Sequence, residues 1–249
     1  MHITITGKTG SGKTTISKLI SEQLGYERYS TGEYQREIAQ KMGVDMVEMN
    51  KIMNDNISYD HLIDSTVERV SRERAADNII FDSRMAWHFA HNSLRIFISI
   101  DPAIAGERVF KNPRPQEPYK SPEDAARQLV IRSEAENLRF RSIYGVDNFD
   151  YANYDLIIDS SYSDLSDFVP IIKDTLEAIS KGRENYRRRI YISPKSLVLY
   201  GGSSSPDEEI ILIPYKGKHY LVSGHARVRA ALEAGEKYVI ADIPAEASM

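Results

Sequence analysis

Eight residues near the start of the chain, Gly7-Lys8-Thr9-Gly10-Ser11-Gly12-Lys13-Thr14, fit the pattern G-x-x-x-x-G-K-[ST]. Each part of that pattern serves phosphate chemistry. Gly7, Gly10 and Gly12 let backbone N–H groups, with that of Ser11 among them, wrap a phosphate without a Cβ in the way. A helix opening at Lys13 adds the partial positive charge of its N-terminus. Lys13 reaches the β- and γ-phosphates, the Thr14 hydroxyl ligates a metal ion, and Thr15 follows in the same turn. The expected cofactors are ATP and Mg²⁺.

The context agrees with the pattern. Ile3 to Thr6 is a short β-branched run that reads as a strand entering a loop. Beyond the loop Ile16, Leu19, Ile20 and Leu24 recur at helical spacing, and Gly25 ends the helix. Small kinases, GTPases and ATPase motors share such a loop. The chain has no guanine-reading N-K-x-D, and the part that carries the loop is short for a motor with large insertions. A small-molecule kinase is the favoured reading.

The segments that follow resemble the cytidylate kinase family, especially its short archaeal-type members. Ser30-Thr-Gly-Glu-Tyr-Gln-Arg36-Glu-Ile-Ala39 is similar to that family's acceptor element S-x-G-x-x-x-R-x-x-A, and Asp82-Ser-Arg84 to its D/E-G-R strand end. Arg132-Ser-Glu-Ala-Glu136-Asn-Leu-Arg139 resembles R-x-x-x-[DE]-x-x-R. Tyr144-Gly-Val-Asp147 and Tyr154-Asp-Leu-Ile-Ile-Asp159 match the closing segment. The resemblance covers residues 1–180. It implies that Arg36 and Arg84 hold the acceptor phosphate, with Thr31 hydrogen-bonding the acceptor. Arg132 and Arg139, two helical turns apart on one face, would clamp the transferring group as catalytic residues beside Lys13, with Glu136 orienting them. Asp82 would order the water around Mg²⁺. Arg108 would sit on the ATP side, at the base of a lid formed by the proline-rich residues 111–122. The sequence departs from the family in two places: Ser83 stands for the glycine of D-G-R, and Met85 stands where bacterial members often carry an aspartate.

Farther on, Tyr220-Leu-Val-Ser-Gly224-His225-Ala-Arg227 resembles the strand–G-H-x-R–helix signature of the ParB/sulfiredoxin-like fold. Gly224 and the helix after it offer N–H groups to a phosphate, and His225 and Arg227 offer cationic donors. Sulfiredoxin chemistry itself is excluded, because the chain has no cysteine.

The elements that must position these residues follow from patterning. Helices are read at 31–42, 45–54 and 58–76, with Leu62, Ile63, Val67 and Val70 sharing a face of the last. Residues 78–82, 95–100 and 154–159 are nearly continuous apolar runs, as central parallel strands require. A helix is read from Pro122 to Tyr144, and another ends near Ser180 with Ser166 as its N-cap. Alternation of this kind predicts an α/β fold with a doubly wound parallel sheet over residues 1–181. The basic stretch 181–190 reads as a linker, solvated or in contact with nucleic acid. Residues 190–249 read as a second, smaller α+β domain, with strands at 197–199, 209–214 and 219–222 and turns at Gly201-Gly202 and Lys216-Gly217.

The 249 residues suffice for both parts, and a net charge of -4 argues against a constitutive nucleic-acid binder. The chain enters its first strand with no basic leader and holds no apolar run long enough for a membrane span. A cytoplasmic enzyme with a small nucleotide acceptor, CMP or dCMP first, is the expectation. Two other readings compete with it. One is a nucleotide-sensing protein whose C-terminal module binds DNA or a partner; the other is a related kinase with a non-nucleotide acceptor.

Overall fold

The computed structural model describes residues 1–44, 46–55, 58–112, 119–199, 202, 205–215 and 218–242. β1 (His2–Gly7) leads into α1 (Lys13–Leu24), followed by β2 (Glu27–Ser30), α2 (Thr31–Met42), α3 (Met46–Asp55) and α4 (Ser58–Glu73). Next come β3 (Ile79–Asp82), α5 (Ala86–Phe89), β4 (Ser93–Ser99), α6 (Pro102–Lys111) and α7 (Pro122–Tyr144). β5 (Leu156–Asp159), α8 (Phe168–Ser180), β6 (Arg189–Ile192) and β7 (Leu197–Leu199) continue the chain. β8 (Ile211–Tyr215), β9 (Lys218–Ser223), α9 (His225–Ala234) and β10 (Val239–Ala241) complete it.

The main sheet has the order β10-β6-β5-β4-β1-β3-β2, and all its pairings are parallel except β10 with β6. Every residue of β1, β3 and β5 is buried, and for β3 and β5 this is why the segments read as nearly continuous apolar runs. Ile3 and Ile5 face α1 and α8 together with Ile16, Ile20, Phe168 and Ile172. On the opposite side, Phe81 and Ile79 pack with Val67 of α4 and Ala86 of α5. Helices on both faces make this an α/β fold with a parallel sheet. β1 lies between β3 and β4, so the strand order reverses beside it. The crevice at the carboxyl ends there is where such sheets bind ligands.

The second sheet is small, with the order β7-β9-β8. It is continuous with the first part through a core in which Trp87, Phe97 and Tyr154 pack with Ile190, Leu212 and Val228. The stretch expected to be a linker is not one. Residues 189–192 form β6 against β5; Ile190 and Ile192 are buried, whereas Arg189 and Tyr191 are less so. Arg183 donates to Asp155 at 3.0 Å and to the Ser93 carbonyl at 2.7 Å, and Arg188 to the carbonyls of Tyr154 and Ala152. The basic run is held down by backbone acceptors that the sequence does not advertise.

Two smaller expectations also change. Leu62 is 51% exposed, so it does not share a face with Ile63 and Val67. Successive helical residues differ by about 100°, and the buried stripe runs 60, 63, 64, 67 instead. α8 is capped at Asp167 after a 3-10 turn at Leu165–Asp167, not at Ser166. Of the expected turns, Gly201 and the pair Lys216-Gly217 lie outside the described residues. No described helix is long and apolar enough to cross a membrane.

Candidate active site

The loop after β1 is shaped by its glycines at two points above all. Gly7 has φ 148°, and a Cβ there would lie 2.2 Å from the Ile98 carbonyl oxygen of β4. Gly12, the N-cap of α1, has φ 86° and no side-chain cap, so the first N–H groups of α1 are left for a ligand. Lys13 Nζ donates to the carbonyls of Gly7 and Lys8, each at 2.7 Å, which holds the ammonium over the loop. Ser17, one turn into α1, lies 3.3 Å from Asp82 Oδ2 and 3.0 Å from the Thr14 carbonyl. That bond fixes the Asp82 carboxylate beside the loop.

A cleft of ≈ 440 Å³ opens from this loop. Gly10, Gly12, Lys13, Thr14 and Thr15 line it together with Thr31, Arg36, Arg84, Arg132, Glu136 and Arg139, and Asp82 and Arg108 complete the lining. The expected residues therefore share one cavity, although they come from β3, α2, α6 and α7 as well as the loop. Gly7 and Ser11 lie in the loop's own turn; Ser11 is fully buried. Thr31 opens α2 and is 5% exposed.

Arg84 is placed by Thr6, whose hydroxyl donates to the carbonyls of Ser83 and Arg84 at 3.1 and 3.3 Å. Its guanidinium donates to Thr9 Oγ1 at 3.2 Å and pairs with Glu136. Glu136 also takes Arg132 Nε at 3.3 Å. Glu136 thus holds two cations at one point of the cleft.

Two further residues of the cleft have no counterpart among the sequence motifs. Asp60 and Asp64, each 4% exposed, line it from α4. Arg139 pairs with Asp60 at 3.4 Å, and the Tyr144 hydroxyl donates to Asp64 at 2.6 Å. Burial pushes the Asp64 carboxyl up to about 7; the Tyr144 bond opposes the shift and the Asp60 charge adds to it. Burial also raises Asp60, against the pull of Arg139. The signal for both was present: carboxylates at 60 and 64 fall in phase with Ile63 and Val67 on the buried stripe. Buried acids in a cleft are candidates for function.

The model of the cytidylate kinase-like family matches residues 2–162. The chain belongs to the cytidylate kinase-like family. A cytidylate kinase from Archaeoglobus fulgidus is 31% identical over 178 residues, covering 71% of this chain and 95% of that protein. One from Saccharolobus islandicus is 29% identical over 192 residues, covering 76% of this chain and 97% of its own. A crystal structure of an uncharacterized protein from Eubacterium ventriosum shares the fold with TM-score 0.55 and 18% identity, over 72% of this chain and 98% of that one.

In this cytidylate kinase-like chain, Arg108 donates to the carbonyls of Ser160 at 2.5 Å and Ser161 at 3.3 Å. It ties α6 to the turn after β5. The expected lid is described only at its ends, since residues 113–118, Arg114 included, lie outside the described residues. Among the described residues no group of three or more His, Cys, Asp or Glu is arranged to hold a metal ion. Thr14 and Asp82 supply two oxygen donors in the cleft, which suits a cation whose other ligands are water and phosphate oxygens.

Gly224, His225 and Arg227 lie apart from this cleft. Gly224 caps α9 with φ 85°. His225 is buried, and a Cβ on Gly202 would come within 2.9 Å of its ring. Arg227 Nη1 donates to the Glu208 carbonyl at 3.4 Å.

Proposed function

We propose that this chain moves the γ-phosphoryl group of ATP onto a nucleoside monophosphate, with CMP or dCMP the first candidates. One observation carries the reading: four guanidinium groups, from Arg36, Arg84, Arg132 and Arg139, line the same cleft as Gly12, Lys13 and Thr14. A simple nucleotide hydrolase has one polyanion to bind. A kinase with a phosphorylated acceptor must hold two anions facing each other, and the second needs its own cations.

The roles follow from position. The loop amides and Lys13 seat the triphosphate, and Thr14 with Asp82 would hold Mg²⁺, which supplies charge neutralisation on the phosphate oxygens. Arg36 and Arg84 hold the acceptor phosphate. Arg132 and Arg139 stabilise charge on the group in transfer, aligned by Glu136 and Asp60. Beyond them, Asp60 Oδ2 has no hydrogen-bond partner among the described residues, and Asp64, raised to about 7 by burial, keeps its proton in a large share of molecules at neutral pH. A protonated carboxyl offers one donor and one acceptor, the complement of the N3 and amino edge of cytosine. The name of the relatives, cytidylate kinase, agrees with that acceptor.

Within the same reading the enzyme acts in the cytoplasm, and residues 190–249 form an appended module related to the ParB/sulfiredoxin-like fold. The test is an acceptor panel. ATP with CMP, dCMP, UMP or AMP is assayed for ADP formation, and CMP or dCMP should give the highest kcat/KM. Folded protein that phosphorylates none of the four would remove the proposal.

A further inference from the structure

A second cavity, ≈ 490 Å³ in volume, lies on the outer side of the phosphate loop. That is within the range of about 300–1,000 Å³ found for small-molecule sites. Its walls come from three places: Lys8 and Thr9 of the loop, the α6–α7 hairpin, and the β8–β9 hairpin near Tyr215, Lys218 and His219. Phe97, Ile100, Leu129, Phe149, Tyr151 and Tyr215 give it an apolar, largely aromatic lining.

Most of its polar groups are already engaged or lie at the rim. Arg141 pairs with Asp147, and Asp150 accepts from the Ala152 amide. His219 closes one side, 2.9 Å from the Tyr151 hydroxyl, and burial keeps it neutral, with its pKa down at about 3. Glu134 and Lys218 are exposed at the rim. Two groups are left over. Lys8 has no ion pair among the described residues, and its ammonium lies 5.9 Å from the centre of the Phe149 ring; burial lowers its pKa, and Asp101, Asp159 and Glu134 oppose that only from beyond ion-pair distance. Ser133 is 8% exposed, and its buried hydroxyl has no hydrogen-bond partner among the described residues.

We propose that this cavity is a second ligand site that takes a small aromatic carboxylate, its ring against the aromatic lining and its carboxylate on Lys8 and Ser133. One ammonium and one hydroxyl suit a singly charged, planar acceptor. A dianionic phosphate asks for more donors than the cavity offers. The site is coupled to the first by construction. Thr9 lines both cavities, and the Lys8 carbonyl accepts the Lys13 bond at 2.7 Å. α7 presents Leu129 and Ser133 to one cavity and Arg132, Glu136 and Arg139 to the other.

The experiment is fluorine NMR on the full chain with 4-fluorobenzoate, with 4-fluorobenzamide as its uncharged counterpart. Benzoate binding is expected with a Kd of about 1 mM or tighter, and the amide at least about tenfold weaker. A saturating non-hydrolysable ATP analogue should not displace it. Lys8→Met should weaken it about tenfold, and Val130→Trp, which fills the cavity from α7, should remove it. Thermal unfolding verifies that each variant is folded, and Lys8→Met decides alone if Val130→Trp is not. The proposal is overturned by no binding to wild type, by equal binding of the amide, by displacement with the ATP analogue, or by unchanged binding to the folded variants.

Discussion

Arg84, just past the end of β3, and Glu136, midway along α7, form an ion pair in the cleft, while the same guanidinium touches Thr9 of the phosphate loop at 3.2 Å. One side chain thus joins α7 to the phosphate loop. Arg84→Ala should lower kcat/KM for the nucleotide acceptor by about 10²–10³. Glu136→Gln keeps the shape and removes the charge that gathers Arg84 and Arg132, so acceptor KM should rise more than kcat falls. Steady-state kinetics with the acceptor varied at saturating ATP checks both. Wild-type kinetics in Arg84→Ala would remove Arg84 from the acceptor site.

Lys13 tests the other half of the cleft. Its ammonium is bonded to the Gly7 and Lys8 carbonyls of the loop, on the surface of the cleft. Lys13→Met should therefore leave thermal stability close to wild type while turnover drops by about 10² or more. A melting curve and an ADP assay on one preparation decide it. Turnover within a few-fold of wild type would argue against triphosphate binding at this loop.

Asp64 makes a prediction about pH. Its carboxyl is raised from 3.8 to about 7 in the folded chain, so between those values the native state holds a proton that the unfolded chain has released. Stability from this group is fully present below pH 4 or so and is lost as pH rises toward 7, with a slope of at most about 1.4 kcal/mol per pH unit. Asp64→Asn cannot ionise. Denaturant unfolding at several pH values from 5 to 8 should show a steeper loss in wild type than in the variant. Parallel curves would mean that Asp64 is not protonated in the fold.

Truncation after residue 181 bears on the division between the two parts. It removes β6 and so strips a paired neighbour from β5; it also uncovers Phe97, Trp87 and Tyr154. An exposed strand edge with an apolar face promotes association. The shortened chain should melt lower and aggregate, even though the cleft at the phosphate loop has no lining residue beyond 140. A monomeric, equally stable fragment would show that residues 190–249 are a separable domain.

How much of this was legible in the sequence depends on how local the signal is. The phosphate loop could be read because strand, glycines and helix are consecutive. Arg36, Arg84, Arg132 and Arg139 were placed by motif order rather than by patterning, and the structure brings them to one cavity. Other features were hidden for physical reasons. β2, Glu-Arg-Tyr-Ser, is a polar edge strand with no buried residue, so periodicity has nothing to register. β6 lies within a run of arginines, and its buried alternate residues, Ile190 and Ile192, are only two. Asp60 and Asp64 look like surface acids until the helix phase set by Ile63 and Val67 is followed across them.

The position of β6 has a consequence for how the molecule is made. A ribosome completes the phosphate loop, the cleft arginines and α7 well before residue 189 appears. Until then the outer edge of β5 has no partner, and after that β6 waits for β10, some fifty residues later, to close it. The nascent chain therefore carries the lining of its cleft while one flank of the sheet is still unpaired, and among the described strands β10, the last in sequence, is the one that pairs it.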